Sequence, residues 1–403
     1  MKGFAAARKV LVLISLFLFV LNANAFGGEL DELKKEVEKQ KSVIEQLEKR
    51  IEEIEARGEK VKVEESERHE ILPLFGMNLG AFGDIDLSSQ SREKTNGSFA
   101  LGSLSLYSTA NVGERLNFLF EMEVESSNAK GATDMETHVD IERLWAGYTF
   151  NDFLIVRAGR FHTPLGWWNT AYHHGKVFFP SVDRPFFLQF EDFDGVIPVH
   201  LVGAEASGAV ASSAGRFKYD FEVGNGPRMV EEGGKNVLTP NDFADDNNSK
   251  QVALRLSFEP RWMPGVSAGV FGTNFKIEDP TGAVNLYESI YGFYLYGKRD
   301  PVEFTTEYFR FRNETDEANA YYIQFAYMLE GITPFIRYET LDGGKDDPYM
   351  NALSGGGDRF QYIAGVKYDL DIIRSALKAQ YRYDEKKGEK TYNVLEMQWA
   401  FHF

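Results

Sequence analysis

The sequence predicts an all-β chain: a transmembrane antiparallel β-barrel of about sixteen strands, preceded by a short α-helical coiled coil. Three observations predict it. Residues 75–403 alternate apolar and polar side chains with period two, segment after segment. The segments run about 9–13 residues, the length a tilted strand needs to cross a bilayer, against ~5–6 in soluble sheets. Their connections are short and long by turns, as a barrel with one tight rim and one elaborated rim requires.

Composition narrows the classes further. The 403-residue chain holds 33 Phe, 19 Tyr and 37 Gly against 13 Pro, a balance that favours many short strands. A net charge of −17 argues against nucleic-acid binding, which needs a basic face to displace counterions. With no cysteine, disulfides, thiol nucleophiles, Cys-ligated metals and lipidated N-termini are excluded. A mean hydropathy of −0.33 excludes a bundle of transmembrane helices.

Residues 1–25 have the form of a secretory signal peptide. Lys2, Arg8 and Lys9 precede an apolar stretch from Val10 to Leu21, and Ala23-Asn24-Ala25 supplies the cleavage pattern. About twelve apolar residues are too few for a helical anchor through ~30 Å of hydrocarbon. Residues 26–60 read as a periplasmic coiled coil. Leu30, Val37, Ile44 and Ile51 occupy one core position, and Leu33, Gln40, Leu47 and Ile54 the other. Gly58 falls on the next core position and ends the helix. So narrow a seam can be buried only against copies of itself, which predicts an oligomer; the alternative is a solvated charged helix. Residues 61–74 read as a linker.

Residues 75–403 form the barrel. In the last segment Leu395, Met397, Trp399, Phe401 and Phe403 alternate with Glu396, Gln398 and His402. Likewise Leu116, Phe118, Phe120, Met122 and Val124 alternate with Asn117, Glu121, Glu123 and Glu125. A soluble sandwich also alternates, but it has no reason to keep short and long connections in strict order. Tight turns are expected near Gly113-Glu114, Asn151-Asp152, 298–300, Glu330-Gly331 and 369–372. Long connections are expected at 88–97, 128–138, 161–195, 225–249, 277–284, 313–318, 342–358 and 385–390. Strands are expected to begin at 75, 98, 115, 139, 153, 196, 216, 250, 266, 285, 301, 319, 332, 359, 373 and 391. An even number of this size returns both barrel ends to one side and leaves an aqueous channel.

The signal, the coiled coil, the strand pattern and the terminal Phe403 together resemble a Gram-negative general or specific porin. The segment Arg157-Ala158-Gly159-Arg160-Phe161-His162-Thr163-Pro164-Leu165-Gly166 is similar to the R-x-G-[RQ]-F-x-x-P-x-G pattern of phosphate-selective porin O/P-like proteins. The barrel resemblance covers 75–403; the motif covers about a dozen residues, and that family's row of basic residues is not matched position by position. The resemblance implies a trimeric barrel in the bacterial outer membrane and passive uptake of small solutes. It also implies contact with membrane lipid and lipopolysaccharide, and recognition of the terminal Phe by the barrel assembly machinery.

With polar faces turned inward, Arg337, Arg359, Lys367, Arg374, Lys378 and Arg382 form a basic ladder on the last strands. Glu121, Glu123 and Glu125, with Asp84 and Asp86 beside them, form an acidic wall. Facing walls of opposite sign orient polar solutes, and the ladder tilts the expectation toward anions. The other possibility is that these charges pair across neighbouring strands. The 161–195 connection is too rich in aromatics to sit in water, with Trp167, Trp168, Tyr172, Phe178, Phe179, Phe186 and Phe187. By analogy with porins it tucks into the barrel as a constriction and offers Glu191, Asp192 and Asp194 to the ladder; the alternative is a subunit interface. The Trp pair suits structural packing better than stacking on sugars.

His162, His173 and His174 lack a matched carboxylate spacing, so no metal site is expected of them. The acidic stretches Asp242–Asn248 and Asp346-Asp347 are candidates for divalent cations bridging lipopolysaccharide or neighbouring loops, although such runs are usually solvated. The resulting expectation is a diffusion channel for small hydrophilic solutes, without cofactor. The alternative is an outer-membrane anchor whose coiled coil mediates oligomerisation or envelope attachment. A surface hydrolase finds no Ser/His pair with a third orienting residue, so the chain is not expected to be an enzyme.

Overall fold

The structure is a computed structural model that describes residues 75–90, 98–127, 136–172, 175–190, 195–232, 235–241, 243–244, 248–278, 284–353, 356–370 and 374–403. The signal, coiled-coil and linker expectations over residues 1–74 lie outside the described residues, as do His173, His174, Glu191, Asp192, Asp194 and most of the acidic stretch Asp242–Asn248.

The first seven strands are β1 (Phe75–Gln90), β2 (Ser98–Val112), β3 (Leu116–Ser127), β4 (Glu136–Asn151), β5 (Leu154–His162), β6 (His200–Ala211) and β7 (Gly215–Gly224). A hairpin of β8 (Arg228–Glu232) and β9 (Lys235–Thr239) follows. Next come β10 (Gln251–Pro260), β11 (Val266–Glu278), β12 (Asn285–Arg299), β13 (Val302–Arg312) and β14 (Glu317–Tyr327). The last are β15 (Ile332–Gly343), β16 (Arg359–Leu370), β17 (Ser375–Lys386) and β18 (Tyr392–His402). Two short helices interrupt long connections, α1 (Trp168–Ala171) after β5 and α2 (Pro348–Ala352) after β15.

All strands except β8 and β9 join in one closed antiparallel barrel, β1 pairing with both β2 and β18. That makes sixteen barrel strands among the described residues. The largest offset from the expected starts is at β6, placed at 196 and found at His200. Closure is continuous: Ala81 N–H donates to the Phe403 carbonyl at 2.8 Å, and Ile85 lies opposite Trp399 in register. The long connections gather at one rim and the tight ones at the other, so both ends of the barrel chain reach the tight rim.

Alternation follows from the pleat, which sends successive side chains to opposite faces. On β3, Phe118 and Phe120 point outward and are exposed, while Glu121 and Glu123 point inward and are buried. Leu79, Phe99, Ile336 and Trp399 also lie on the outer face, with Leu79 78% exposed. Such a continuous apolar exterior is unstable in water and stable against acyl chains.

Polar-inward alternation fails on one side. On β11 to β15 the inward positions near the long-connection rim are Phe271, Phe275, Ile277, Leu286, Ile290, Phe309, Phe311, Ala318, Ala320 and Leu341, all buried. They pack with Leu165, Trp168, Phe187, Leu188, Val196 and Ile197 from the β5–β6 connection, with Met229 and Leu238 of the hairpin, and with Tyr349 and Met350 of α2. Those strands face lipid on one side and a dry cluster on the other, so apolar residues occupy both faces.

Ile336→Arg, in the middle of β15, should lower the stability of the barrel folded in lipid vesicles by about 2–4 kcal/mol. Denaturant unfolding in vesicles checks this, and a soluble sandwich would instead tolerate a surface arginine there with little change.

Candidate functional site: the lumen and its infolded loop

The described residues of the 163–199 connection do not leave the barrel; they cross the lumen and return. Its first leg is set by the motif at the end of β5. Gly159 has φ +137, and a Cβ there would lie 2.1 Å from the Leu144 carbonyl oxygen, so only glycine lets β4 and β5 approach. Arg160 donates to the carbonyls of Glu142 (3.1 Å) and Asn241 (2.8 Å). Asn169 Nδ2 donates to the Thr163 and Val199 carbonyls, each at 3.0 Å, and clips the two legs of the loop together. Gly166 then turns with φ +80, where a Cβ would sit 1.8 Å from Glu307 Oε2.

That carboxylate is the first anchor. Glu307 accepts from the Trp167 N–H at 2.8 Å and the Trp168 N–H at 2.9 Å, and also from the Tyr322 hydroxyl at 2.7 Å. Register places Tyr294, Glu307, Tyr322, Glu339 and Gln361 in one inward row across β12 to β16. Further along, Glu339 accepts from the Phe186 N–H at 2.9 Å, and Gln380 accepts from the Val182 N–H at 2.8 Å. Strand cations serve the loop carbonyls. Arg337 donates to Asp183 O (2.9 Å), Arg184 O (3.3 Å) and Ser181 Oγ (2.8 Å). Lys378 donates to Ser181 O (2.7 Å) and to Lys176 O, and sits 4.4 Å from the Phe179 ring. Arg255 donates to Gly166 O at 2.9 Å. The loop's own Lys176 reaches Asp84 at 2.9 Å.

The two tryptophans are packing groups. Trp168 is fully buried against Phe179, Tyr172 and Tyr322. Trp167 stacks on Tyr296 at 4.3 Å with the rings 14° apart.

The basic ladder is not a row of free cations. Arg337 and Lys378 are buried under the loop. Arg359 pairs bidentately with Asp384 at 2.9 and 2.7 Å and lies over Phe186. Arg382 pairs with Glu396 at 2.6 Å, and Lys367 with Asp369 at 2.7 Å. Arg374 is no rung at all: it is exposed in the tight turn before β17 with φ 46, because the chain reverses there instead of continuing the strand.

The acidic wall is also engaged. Glu121 accepts from Arg143 at 2.5 Å, Glu123 from Ser105 at 3.4 Å, and Asp86 from Gln398 at 3.0 Å. Glu125 pairs in register with Ser103, and its side chain lies outside the described residues. On the wall from β4 to β10, Arg157 pairs with Glu205, Lys218 with Glu259, and Arg255 with Asp220 at 2.9 Å.

Electrostatics of the loop follow from burial. Burial alone would lower the Lys176 ammonium, but Asp84, Asp86 and Asp183 around it prevail and hold it above its ordinary value. Burial pushes the Arg184 guanidinium down to about 10, against the pull of Glu142, Glu307 and Glu123. His200 lies 2.9 Å from Glu142, and its ring is 5.3 Å from that of His162. Among the described residues no group of three or more His, Asp or Glu side chains forms a metal site.

The anchors Glu307, Glu339 and Gln380 are functional residues that pattern reading misses. The available signal is Glu303 and Glu307 at inward positions of a strand whose next inward residues are Phe309 and Phe311.

A family model described as Gram-negative porin matches residues 78–389. Among solved structures, the Salmonella typhi OmpF complex with daunomycin superposes with a TM-score of 0.58 at 10% identity, covering 81% of this chain and 97% of that one. The anion-selective porin from Comamonas acidovorans gives 0.55 at 15%, covering 82% and 100%. The trimer form of OmpT, an outer membrane protein of Vibrio cholerae, gives 0.50 at 11%, covering 82% and 99%. No curated protein sequence matches the chain.

Glu307→Ala would leave one buried and one partly buried backbone N–H and the Tyr322 hydroxyl without their acceptor, at up to about 1–3 kcal/mol each before relaxation. The loop should loosen, raising single-channel conductance and current noise in planar bilayers. Unchanged conductance with an unchanged melting temperature would reject the anchoring role.

Proposed function

Because the chain belongs to the Gram-negative porin family, we propose that it is a passive diffusion channel for small hydrophilic solutes, narrowed by its infolded 163–199 loop and not catalytic. One observation carries this reading: a loop fastened across the inside of a closed barrel, facing a wall of water-accessible polar side chains. Inward charges with partial exposure include Arg143 (24%) and Arg157 (27%) on β4 and β5, Lys218 (34%) on β7 and Arg382 (20%) on β17. They lie on strands outside the dry cluster of β11 to β15. The solute path therefore follows these polar strands and not the dry cluster.

Selectivity should be weak. An arginine paired with a carboxylate at 2.5–3 Å presents little net charge beyond a Debye length of ~8 Å. The anion preference suggested by six cations is reduced, since Arg359, Lys367 and Arg382 are matched by carboxylates and Arg337 and Lys378 are covered. The likeness to the anion-selective Comamonas porin supports the anion reading by analogy alone. Phosphate specificity gains no support from the motif, since Arg157 pairs with Glu205 and Arg160 holds backbone carbonyls.

We further propose residues 1–25 as a signal peptide, 26–60 as a periplasmic coiled coil and 61–74 as a linker, with a trimeric assembly in contact with lipid and lipopolysaccharide. The heptad over Leu30–Ile54 and the trimer form of the OmpT relative support an oligomer.

In planar bilayers the protein should conduct ohmically. Its reversal potential should fall well below the ~59 mV of an ideally selective pore under a tenfold salt gradient. Arg382→Gln, which removes the cation beside Glu396, should move that potential toward cations, and an unmoved value would remove Arg382 from the conducting wall. Deleting residues 26–60 should leave conductance per barrel unchanged while weakening the trimer in mild detergent. Loss of envelope adhesion on that deletion would favour the anchor reading, in which the helix is primary.

A further inference from the structure

Near the long-connection rim, two carboxylates are buried together without a cation. Glu288, at the start of β12, and Asp347, just before α2, are both 0% exposed. The Asn313 amide nitrogen, following β13, donates to both, to Glu288 Oε2 at 2.8 Å and to Asp347 Oδ1 at 2.6 Å. Asp347 Oδ1 also caps α2, accepting from the Tyr349 N–H at 2.8 Å. The other two oxygens, Glu288 Oε1 and Asp347 Oδ2, are buried with no hydrogen-bond partner. No Lys, Arg or His forms an ion pair with either carboxylate among the described residues. Their neighbours include Phe275, Phe311 and Tyr349, whose rings lie 5.5–6.3 Å apart in pairs.

Two buried carboxylates joined through one amide repel each other, and each leaves an oxygen unsatisfied, an arrangement that is costly without a positive charge beside them. Oxygen-only donors in a loop-rich setting suit a hard cation, whose remaining positions are filled by water and backbone carbonyls. We propose that Glu288 and Asp347 bind a calcium-class divalent cation that ties β12, the β13–β14 turn and α2 together at the barrel mouth. The tie reaches the constriction, because the Tyr349 hydroxyl donates to Val196 O of the infolded loop at 2.7 Å. Cation occupancy would thus steady the loop from outside the pore.

The test uses the full barrel refolded in detergent and stripped with chelator, with CaCl2 as the probe. Calorimetric titration should show one more bound Ca2+ per chain in wild type than in Asp347→Asn, which retains the α2 cap. Calcium should raise the wild-type melting temperature by several degrees and leave that of Asp347→Asn unmoved. Glu288→Gln is the second variant, expected to lose about tenfold or more in affinity and to be at least as stable as wild type in chelator. Equal calcium stoichiometry and equal thermal response in wild type and both variants would overturn the proposal. So would a wild type indifferent to calcium, which would leave the pair sharing a proton instead.

Discussion

Taking a polypeptide segment inside a barrel removes its backbone N–H and C=O groups from bulk water, and each must find a partner or cost about 1–3 kcal/mol. The rest of the lumen is organised around that constraint. Among its described residues the 163–199 connection satisfies part of its own backbone with a four-residue helix, two single 3-10 turns and bonds such as Val196 N–H to the Phe187 carbonyl at 3.1 Å. Further partners come from the wall. Glu307, Glu339 and Gln380 accept from loop N–H groups, while Arg255, Arg337 and Lys378 donate to loop carbonyls. These six side chains come from β10, β13, β15 and β17, so the loop is held across the lumen and not hinged at its two ends.

The same constraint explains the charge pattern. A carboxylate that caps loop amides, or a guanidinium that binds loop carbonyls, is held inside at low exposure and needs compensation nearby. Arg337 has Glu339 at 3.4 Å on its own strand, and Arg359 has Asp384 across the β16–β17 pair. The wall thus becomes a mosaic of opposite charges at strand spacing. A field built from such pairs is strong close to the wall and fades quickly toward the centre, so it orients a polar solute in contact with it more than it sorts ions at a distance.

Much of the fold is legible in the sequence, because strand faces and connection lengths are local properties. Trp399 and Phe401 announce the outer face of β18, and Gly113 or Gly331 a tight turn. The candidate site is legible only in part. Arg337 and Lys378 look like pore cations in the pattern, yet their partners lie more than 150 residues away on the loop, a distance no periodicity reports. Arg374 misleads for a local reason: the alternation that reaches Leu377 extends on paper through a turn. The dry cluster escapes because alternation assumes that one face meets lipid and the other water. On β12, Tyr287, Tyr291 and Phe293 face out while Leu286, Ile290 and Tyr294 face in, and only the infolded loop makes the second set sensible.

That two-sided stretch also decides where water can go. A sixteen-strand barrel is wide enough to hold an aqueous channel, but here one side of it is occupied by a hydrophobic body made of loop, hairpin, α2 and strand residues. Water gains nothing by entering a tightly packed aromatic interior, whereas Arg143, Arg157 and Lys218 on strands outside it remain partly solvated even with their carboxylate partners. The loop therefore does more than shorten the radius of a round pore. It divides the lumen into a dry support and a polar side lined by paired charges such as Arg157 with Glu205 and Arg382 with Glu396.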